Sequence, residues 1–310
     1  MDTALYLLAR ALIALLQSLS LPTVARIGRV AGGLAYALDA RHRRVAIRNL
    51  QMCLGAEKSW DEIRALAREN FKRLGENYCS AIKTAVMSEE DLHPHFIFND
   101  AEKIATSVCR LPSRNGVFAI GHFGNFELYA RCIHSMPEFK FATTYRGLRQ
   151  PSLNRLMQSL RERSGCLFFE RRSEAAALKA RMSAGNTLLG LLADQHAGVS
   201  GVRIPFLGHD CATSAAPAVL ALRYHCPLHT AICYRVGLAK WHVEICDEIP
   251  TQLNGHPRDT KEIMLDVNRA FEIAVRRDPA NWFWVHNRWK PDKSRVQSPA
   301  SKAAAAEATS

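Results

Sequence analysis

The sequence predicts an α/β fold with a mixed, largely parallel central sheet flanked by helices, and three observations carry that prediction. Gly116-Val117-Phe118-Ala119-Ile120 and Thr187-Leu188-Leu189-Gly190-Leu191-Leu192-Ala193 are short continuous apolar runs, as strands buried on both faces are. Each run gives way to polar residues, Gly121-His122 after the first and Asp194-Gln195 after the second, at the carboxyl ends where open α/β sheets gather ligands. Stretches of helical periodicity separate the runs. A chain of 310 residues with 48% hydrophobic content is long enough for one large α/β domain plus a small N-terminal helical piece.

The chain opens with an apolar run, Ala4 to Leu21, broken by Arg10 and Gln17 and closed by Pro22. It lies at the short end of the roughly 20 residues that span a bilayer. It lacks a basic leader and a small-residue cleavage site, so the expectation is a membrane-anchoring or interfacial helix, with a core helix as the alternative. Arg41-His42-Arg43-Arg44 and Arg48 follow the next apolar segment. That places the basic cluster on the cytoplasmic side or against anionic headgroups. Residues 1–40 are thus expected to form the anchor, 41–292 the main domain, and 293–310, rich in Ser, Ala, Lys and Pro, a disordered tail.

Helical spacing runs from Trp60 to Val86, and Phe96-Ile97-Phe98 reads as a short strand. His93 and His95 flank Pro94 and read as surface residues rather than metal ligands. After the His122 loop, Phe126 onward reads as the opening of a helix. A strand from Lys140 to Thr144 ends at Tyr145-Arg146, and a helix covers roughly 151–164. Leu167 to Phe169 is a strand, and Ser173 is placed to cap a helix over 174–184. Residues 197–212 read as a loop, and Thr213 or Ser214 caps a helix to Arg223. Strands His229–Val236 and His242–Asp247 and a helix over 259–277 complete the domain. The aromatic and basic cluster from Trp282 to Lys290 fits a packed C-terminal segment, an interfacial belt or a nucleic-acid stacking surface.

A formal net charge of +12 predicts an anionic partner: nucleic acid, an acidic leaflet, a phosphorylated ligand or an acidic carrier. The nine cysteines form no C-x-x-C pair and sit in apolar segments, which indicates buried thiols in a reducing compartment rather than disulfides or a zinc cluster.

His122 and Glu127 stand either side of a strand-to-helix turn. In that geometry the carboxylate is expected to swing back to the imidazole, fix its tautomer and leave the other ring nitrogen as a base for a hydroxyl proton. A serine hydrolase is excluded because no G-x-S-x-G elbow occurs. The His-x4-Glu spacing resembles the HX4(D/E) acyltransferases. The ordered landmarks His122/Glu127, Tyr145-Arg146, Arg161 and Arg163, Arg171, Asp194-Gln195, Pro205-Phe206-Leu207-Gly208 and Trp284-x-His286-x-Arg288 are similar, more narrowly, to the lipid A late acyltransferases, as is Arg43-Arg44-Val45-Ala46-Ile47-Arg48-Asn49-Leu50.

The resemblance implies acyl transfer from an acyl carrier protein or coenzyme A thioester to a glycolipid hydroxyl at the cytoplasmic face of an inner membrane. It implies no cofactor, no metal and no nucleic acid. It makes His122 and Glu127 the catalytic candidates. Asn125, Tyr145, Arg146, Arg161, Arg163, Arg171, Asp194, Gln195 and Arg203 become the substrate-contacting ones, arginine suiting the acceptor's phosphates. Phosphatidylinositol mannoside acyltransferases share the motif, so another glycolipid acceptor stays open. A catalytically silent basic protein that binds membrane or nucleic acid is the reading from another class.

Overall fold

The computed structural model describes residues 2–148 and 150–290, so the 293–310 segment lies outside it. Four helices lead: α1 (Asp2–Ser18), α2 (Leu21–Leu38), α3 (Ala40–Leu54) and α4 (Trp60–Thr84). A capping box at Ser59 and Glu62 fixes the start of α4. The short α5 (Glu89–Leu92) leads into β1 (Phe96–Phe98), α6 (Ala101–Cys109) and β2 (Gly116–Ile120). Then come β3 (Lys140–Tyr145), α7 (Pro151–Arg161), β4 (Leu167–Glu170), α8 (Ala175–Ser183) and β5 (Thr187–Leu192). The chain continues through β6 (Val202–Phe206), β7 (His209–Thr213), α9 (Ala216–Arg223), β8 (Leu228–Gly237), β9 (Lys240–Ile245) and α10 (Thr260–Arg277).

Seven strands make one sheet in the order β1-β9-β8-β2-β5-β3-β4. Every pairing is parallel except β8 with β9, which a tight reversal connects. The expected fold class holds. β2 and β5 sit adjacent at the centre and are apolar throughout because both their faces are covered. Alternate residues divide between two cores: Val117 and Ala119 pack with α9 and α10 residues such as Ala218 and Phe271, whereas Phe118 and Ile120 pack with Ile104 and Val108 of α6 and with Leu128 and Cys132.

Three sequence expectations change. Among the described residues no helix is long and apolar enough to cross a membrane. The 17 residues of α1 rise only about 26 Å against a hydrocarbon core of about 30 Å. The next helix, α2, is instead fitted to the domain. Gly28 and Gly32 of α2 meet Gly75 and Phe71 of α4 with backbone against backbone, and a Cβ at Gly28 or Gly75 would collide with the other's carbonyl oxygen.

The segment after His122 is the second change: Phe126–Ser135 winds as a 3-10 helix rather than an α-helix. Tyr129 pins it to the sheet, donating its hydroxyl to Ala231 O at 2.9 Å and accepting from Cys233 N at 3.0 Å.

Third, 197–212 is not a plain loop, because β6 and β7 form an antiparallel hairpin. Its turn residues Leu207 and Gly208 both have positive φ, 49° and 78°, as in a type I′ turn. Leucine tolerates this because its side chain is buried and its N–H donates to Glu272 Oε1 at 2.6 Å. One cap also differs: Ser173 does not cap α8 but donates its hydroxyl and N–H to Glu170.

Candidate active site

Parallel neighbours in register deliver side chains to the same level. Ile120 pairs with Leu192, so His122 and Asp194, two residues on, leave the sheet side by side. His122 Nδ1 lies 2.8 Å from Asp194 Oδ1, and the His122 backbone N–H donates to Oδ2 at 2.8 Å. Trp282 Nε1 donates to the same Oδ2 at 2.9 Å. Asp194 is fully buried. Burial alone would raise its carboxyl, but the facing imidazole charge and the donors from His122 and Trp282 hold it down at about 2. An ionised Asp194 accepts the Nδ1 proton and so turns the Nε2 lone pair toward the cavity, where the Gln195 amide nitrogen stands 3.3 Å away. Phe126 and Phe283 flank the ring at centroid distances of 4.9 and 5.5 Å.

Glu127 does not reach the imidazole by hydrogen bond. Its carboxylate takes Arg161 in a two-point pair, Nη2 to Oε1 at 2.6 Å and Nε to Oε2 at 3.2 Å, and the guanidinium lies 5.4 Å from the Phe168 ring centroid. This corrects the expected His122–Glu127 contact. The carboxylate that holds the imidazole comes from the neighbouring strand, 72 residues away. Between the two, Gly124 adopts φ of 51°, and a Cβ there would lie 2.5 Å from the Cys233 carbonyl oxygen, a placement no side chain could share.

The segment after α10 straps this arrangement in place, so the Trp282–Lys290 cluster is a packed segment rather than a belt or stacking surface. Trp282, Trp284 and Arg288 are each at most 1% exposed. Asn70 on α4 donates to the carbonyls of Ala280 and Trp282 at 2.9 and 2.6 Å, and Asn49 on α3 to those of Trp284 and His286 at 2.9 and 2.8 Å. Arg288 has no carboxylate partner among the described residues and gives its guanidinium to Ala212 O, Gln195 O and Thr213 Oγ1. It thereby fixes the backbone that carries Asp194 and Gln195. His286 accepts from His196 N–H at 3.1 Å, and burial brings its imidazole down to about 4, so it stays neutral near pH 7.

His122 and Glu127 open on a cavity of 1410 Å³ that also takes in Tyr145, Arg146, Arg161, Arg171 and Gln195. It runs into the sheet face of Phe118, Ile120 and Leu188 and, on the other face, into a gap between α8 and α9 beside Leu178, Leu191 and Leu220. Arg146, Arg171, Lys179, Arg223 and Lys290 line it with no ion-pair partner among the described residues. Among the expected residues, Asp194 lies behind His122, and Asn125 is buried with Nδ2 3.5 Å from Thr84 Oγ1. Arg163 and Arg203 are exposed and do not line the cavity. The sequence marks Trp282 and Phe283 only as members of the C-terminal aromatic cluster and Phe126 only as the opening of a helix, with no place at His122 for any of them.

An imidazole held by a buried carboxylate, at the carboxyl edge of a largely parallel sheet and over a deep cavity with cations at its mouth, is equipped for general-base chemistry on a substrate with apolar and anionic parts. The chain matches the model of the bacterial lipid A biosynthesis acyltransferases over residues 2–291, and it belongs to that family. It is an acyltransferase, and the reaction class is acyl transfer in lipid A biosynthesis. A search of curated proteins returned no match.

Proposed function

We propose that the chain moves a fatty acyl group from an acyl thioester, of acyl carrier protein or coenzyme A, to a hydroxyl of a lipid A precursor, with His122 as the general base and Asp194 as the group that orients it. The observation that carries this reading is the His122 Nδ1–Asp194 pair at 2.8 Å, which leaves Nε2 as the basic atom facing the cavity. In the proposed step Nε2 takes the acceptor hydroxyl proton as the oxygen bonds to the thioester carbonyl carbon. The C–S bond then breaks, and the departing thiolate takes the proton back from the imidazolium. General-base assistance of this kind contributes about 10²–10⁴-fold.

Arg146 and Arg171 at the mouth, without carboxylate partners among the described residues, suit phosphates on the acceptor. Glu127 holds Arg161 in the same rim and acts through it rather than through His122. Attachment at the cytoplasmic face of an inner membrane is supported by the outward apolar side chains Leu8, Leu12 and Leu15 of α1 and Val30, Leu34 and Leu38 of α2, followed by exposed Arg41 and Arg44. The helices then lie along the surface, with anionic headgroups meeting the basic cluster.

The test offers detergent-solubilised enzyme a labelled acyl thioester and two acceptors side by side, a tetra-acylated lipid A precursor and a mannosylated phosphoinositide. Label on the lipid A precursor alone, lost with His122→Ala, is the expected result. Label on the mannoside alone, or undiminished transfer by His122→Ala, would overturn the reading.

A further inference from the structure

Nε2 of His122 already has a neighbour: the Gln195 side-chain nitrogen stands 3.3 Å from it. Chemistry fixes which end of the amide is there. Asp194 takes the Nδ1 proton, so Nε2 carries a lone pair and the group facing it must be the NH2 end. The imidazole is the only partner of that amide among the described residues. Its backbone is held far more firmly. The fully buried Arg288 donates to Gln195 O and also to Ala212 O and Thr213 Oγ1, and on the next residue His196 N–H donates to His286 Nε2. Gln195 is thus a side chain on a fixed backbone, lining the cavity and bonded only to the atom that takes the substrate proton.

Nε2 has one lone pair, and the acceptor hydroxyl needs it, so the arriving hydroxyl displaces the amide N–H. A hydroxyl oxygen in reach of Nε2 lies about 2.6–3.2 Å from it, and the thioester carbon it attacks is its next neighbour. A donor that starts 3.3 Å from Nε2 has only to turn about its side-chain torsions to meet the carbonyl oxygen on that carbon. Three other donors near the ring are committed. Arg161 is paired with Glu127, Trp282 with Asp194, and Arg288 with the carbonyls and hydroxyl named above. A neutral amide also suits the place, because a cation there would oppose the imidazolium that forms.

We infer that Gln195 is a further catalytic residue, donating its side-chain N–H to the thioester carbonyl oxygen as that oxygen takes on negative charge. This rests on the acyl-transfer reading above and adds to it the group that stabilises the oxyanion. As the acceptor oxygen bonds to the carbonyl carbon, Nε2 takes the hydroxyl proton and the C=O π pair moves onto the carbonyl oxygen. The amide, released from Nε2, donates to that oxyanion. When the pair returns, the C–S bond breaks and the thiolate takes the proton from the imidazolium. Gln195 itself neither gains nor loses a proton. Acceptor binding and oxyanion stabilisation are coupled in this way, since the hydroxyl that uncovers the base also frees the donor.

The experiment uses full-length, detergent-solubilised enzyme with a lipid A precursor and acyl thioesters, of acyl carrier protein and of coenzyme A, labelled with 13C at the carbonyl carbon. Gln195→Met keeps the length of the side chain and loses the donor. It should lower kcat by about 10²–10³-fold, with donor and acceptor KM within about threefold of wild type. Infrared difference spectra then read the carbonyl directly, in enzyme carrying His122→Ala so that the thioester persists. The bound C=O stretch should lie below that of the thioester in solution, and should return toward it when Gln195→Met is added. A role confined to placing the imidazole would not move that band. 15N spectra of Gln195→Met should still show His122 protonated on Nδ1. A kcat within about threefold of wild type, a carbonyl band that the amide does not shift, or a changed His122 tautomer in Gln195→Met overturns the inference while leaving acyl transfer standing. Absence of transfer by wild type from either donor overturns both.

Discussion

Replacing Asp194 by asparagine separates the two carboxylates that compete for the role of holding His122. Two N–H groups, from the His122 backbone and Trp282, converge on Asp194 Oδ2. In Asp194→Asn the amide oxygen must stay at that position, because turning the NH2 group there would point donors at donors. The NH2 group then faces His122 Nδ1, which must accept instead of donate. The imidazole proton moves to Nε2, and the basic lone pair no longer faces the cavity. The side chain keeps its volume, so the cavity and substrate contacts persist. The loss should fall on kcat, by about 10²–10⁴-fold, roughly 3–5 kcal/mol in the barrier, with KM within about threefold. Steady-state acyl transfer to the lipid A precursor measures both. If Asp194→Asn keeps kcat within about threefold of wild type while Glu127→Gln abolishes it, the assignment of the orienting carboxylate is wrong.

Four further outcomes are expected. Glu127→Gln frees Arg161 from its pair and should act mainly on acceptor KM, whereas Arg161→Ala should raise acceptor KM by tenfold or more; titrating the acceptor at saturating donor separates these from a kcat effect. Trp282→Phe removes one donor to a buried carboxylate and leaves space where the indole's second ring packed, costing at least about 1.5–3 kcal/mol of stability by denaturant unfolding. Gly75→Ala drives a methyl into the backbone of α2 and should destabilise by about 2 kcal/mol or more, seen as a lower unfolding midpoint, while Gly33→Ala, with open space, should not. In acid, buried imidazoles lose their stabilising neutrality before Asp194 is protonated. His286, held neutral with its pKa lowered from 6.5 to about 4, lets the unfolded chain bind its proton first, so stability falls as pH drops from 6.5 toward 4. Asp194, lowered from 3.8 to about 2, contributes stability that is present above 3.8 and lost as pH falls from there toward 2. Unfolding free energy measured against pH should show the first slope reduced in His286→Gln, the share of His196 and His229, whose imidazoles burial also lowers, remaining.

The sheet was legible because β2 and β5 are apolar on both faces and end on polar residues, and that pattern needs no tertiary information. His122 was legible for the same reason. Its partner was not: Glu127 is five residues away in sequence, and proximity along the chain favoured it, whereas Asp194 becomes a neighbour only when β2 and β5 align. Arg161 could have signalled this, since an arginine that needs an acid competes for Glu127. The hairpin of β6 and β7 was hidden because Leu207-Gly208 lacks the usual Asn-Gly or Asp-Gly signature, its positive φ at leucine being held by burial and by Glu272. The spanning alternative for the N-terminal segment rested on hydropathy, which cannot see that α1 stops at Ser18 or that Gly28 and Gly32 fit the second helix to α4. Trp282 and Arg288 read as a basic, aromatic surface in one dimension and turn out buried, because Asn49 and Asn70 draw that segment inward.

The central claim, that Asp194 makes His122 a base directed at the cavity, is tested most directly by 15N spectra of histidine-labelled enzyme at a pH where the imidazole is neutral. The account predicts a His122 signal, assigned by its loss in His122→Ala, with Nδ1 protonated in wild type and in Glu127→Gln, and with Nε2 protonated in Asp194→Asn. A tautomer that switches in Glu127→Gln and stays unchanged in Asp194→Asn would contradict it.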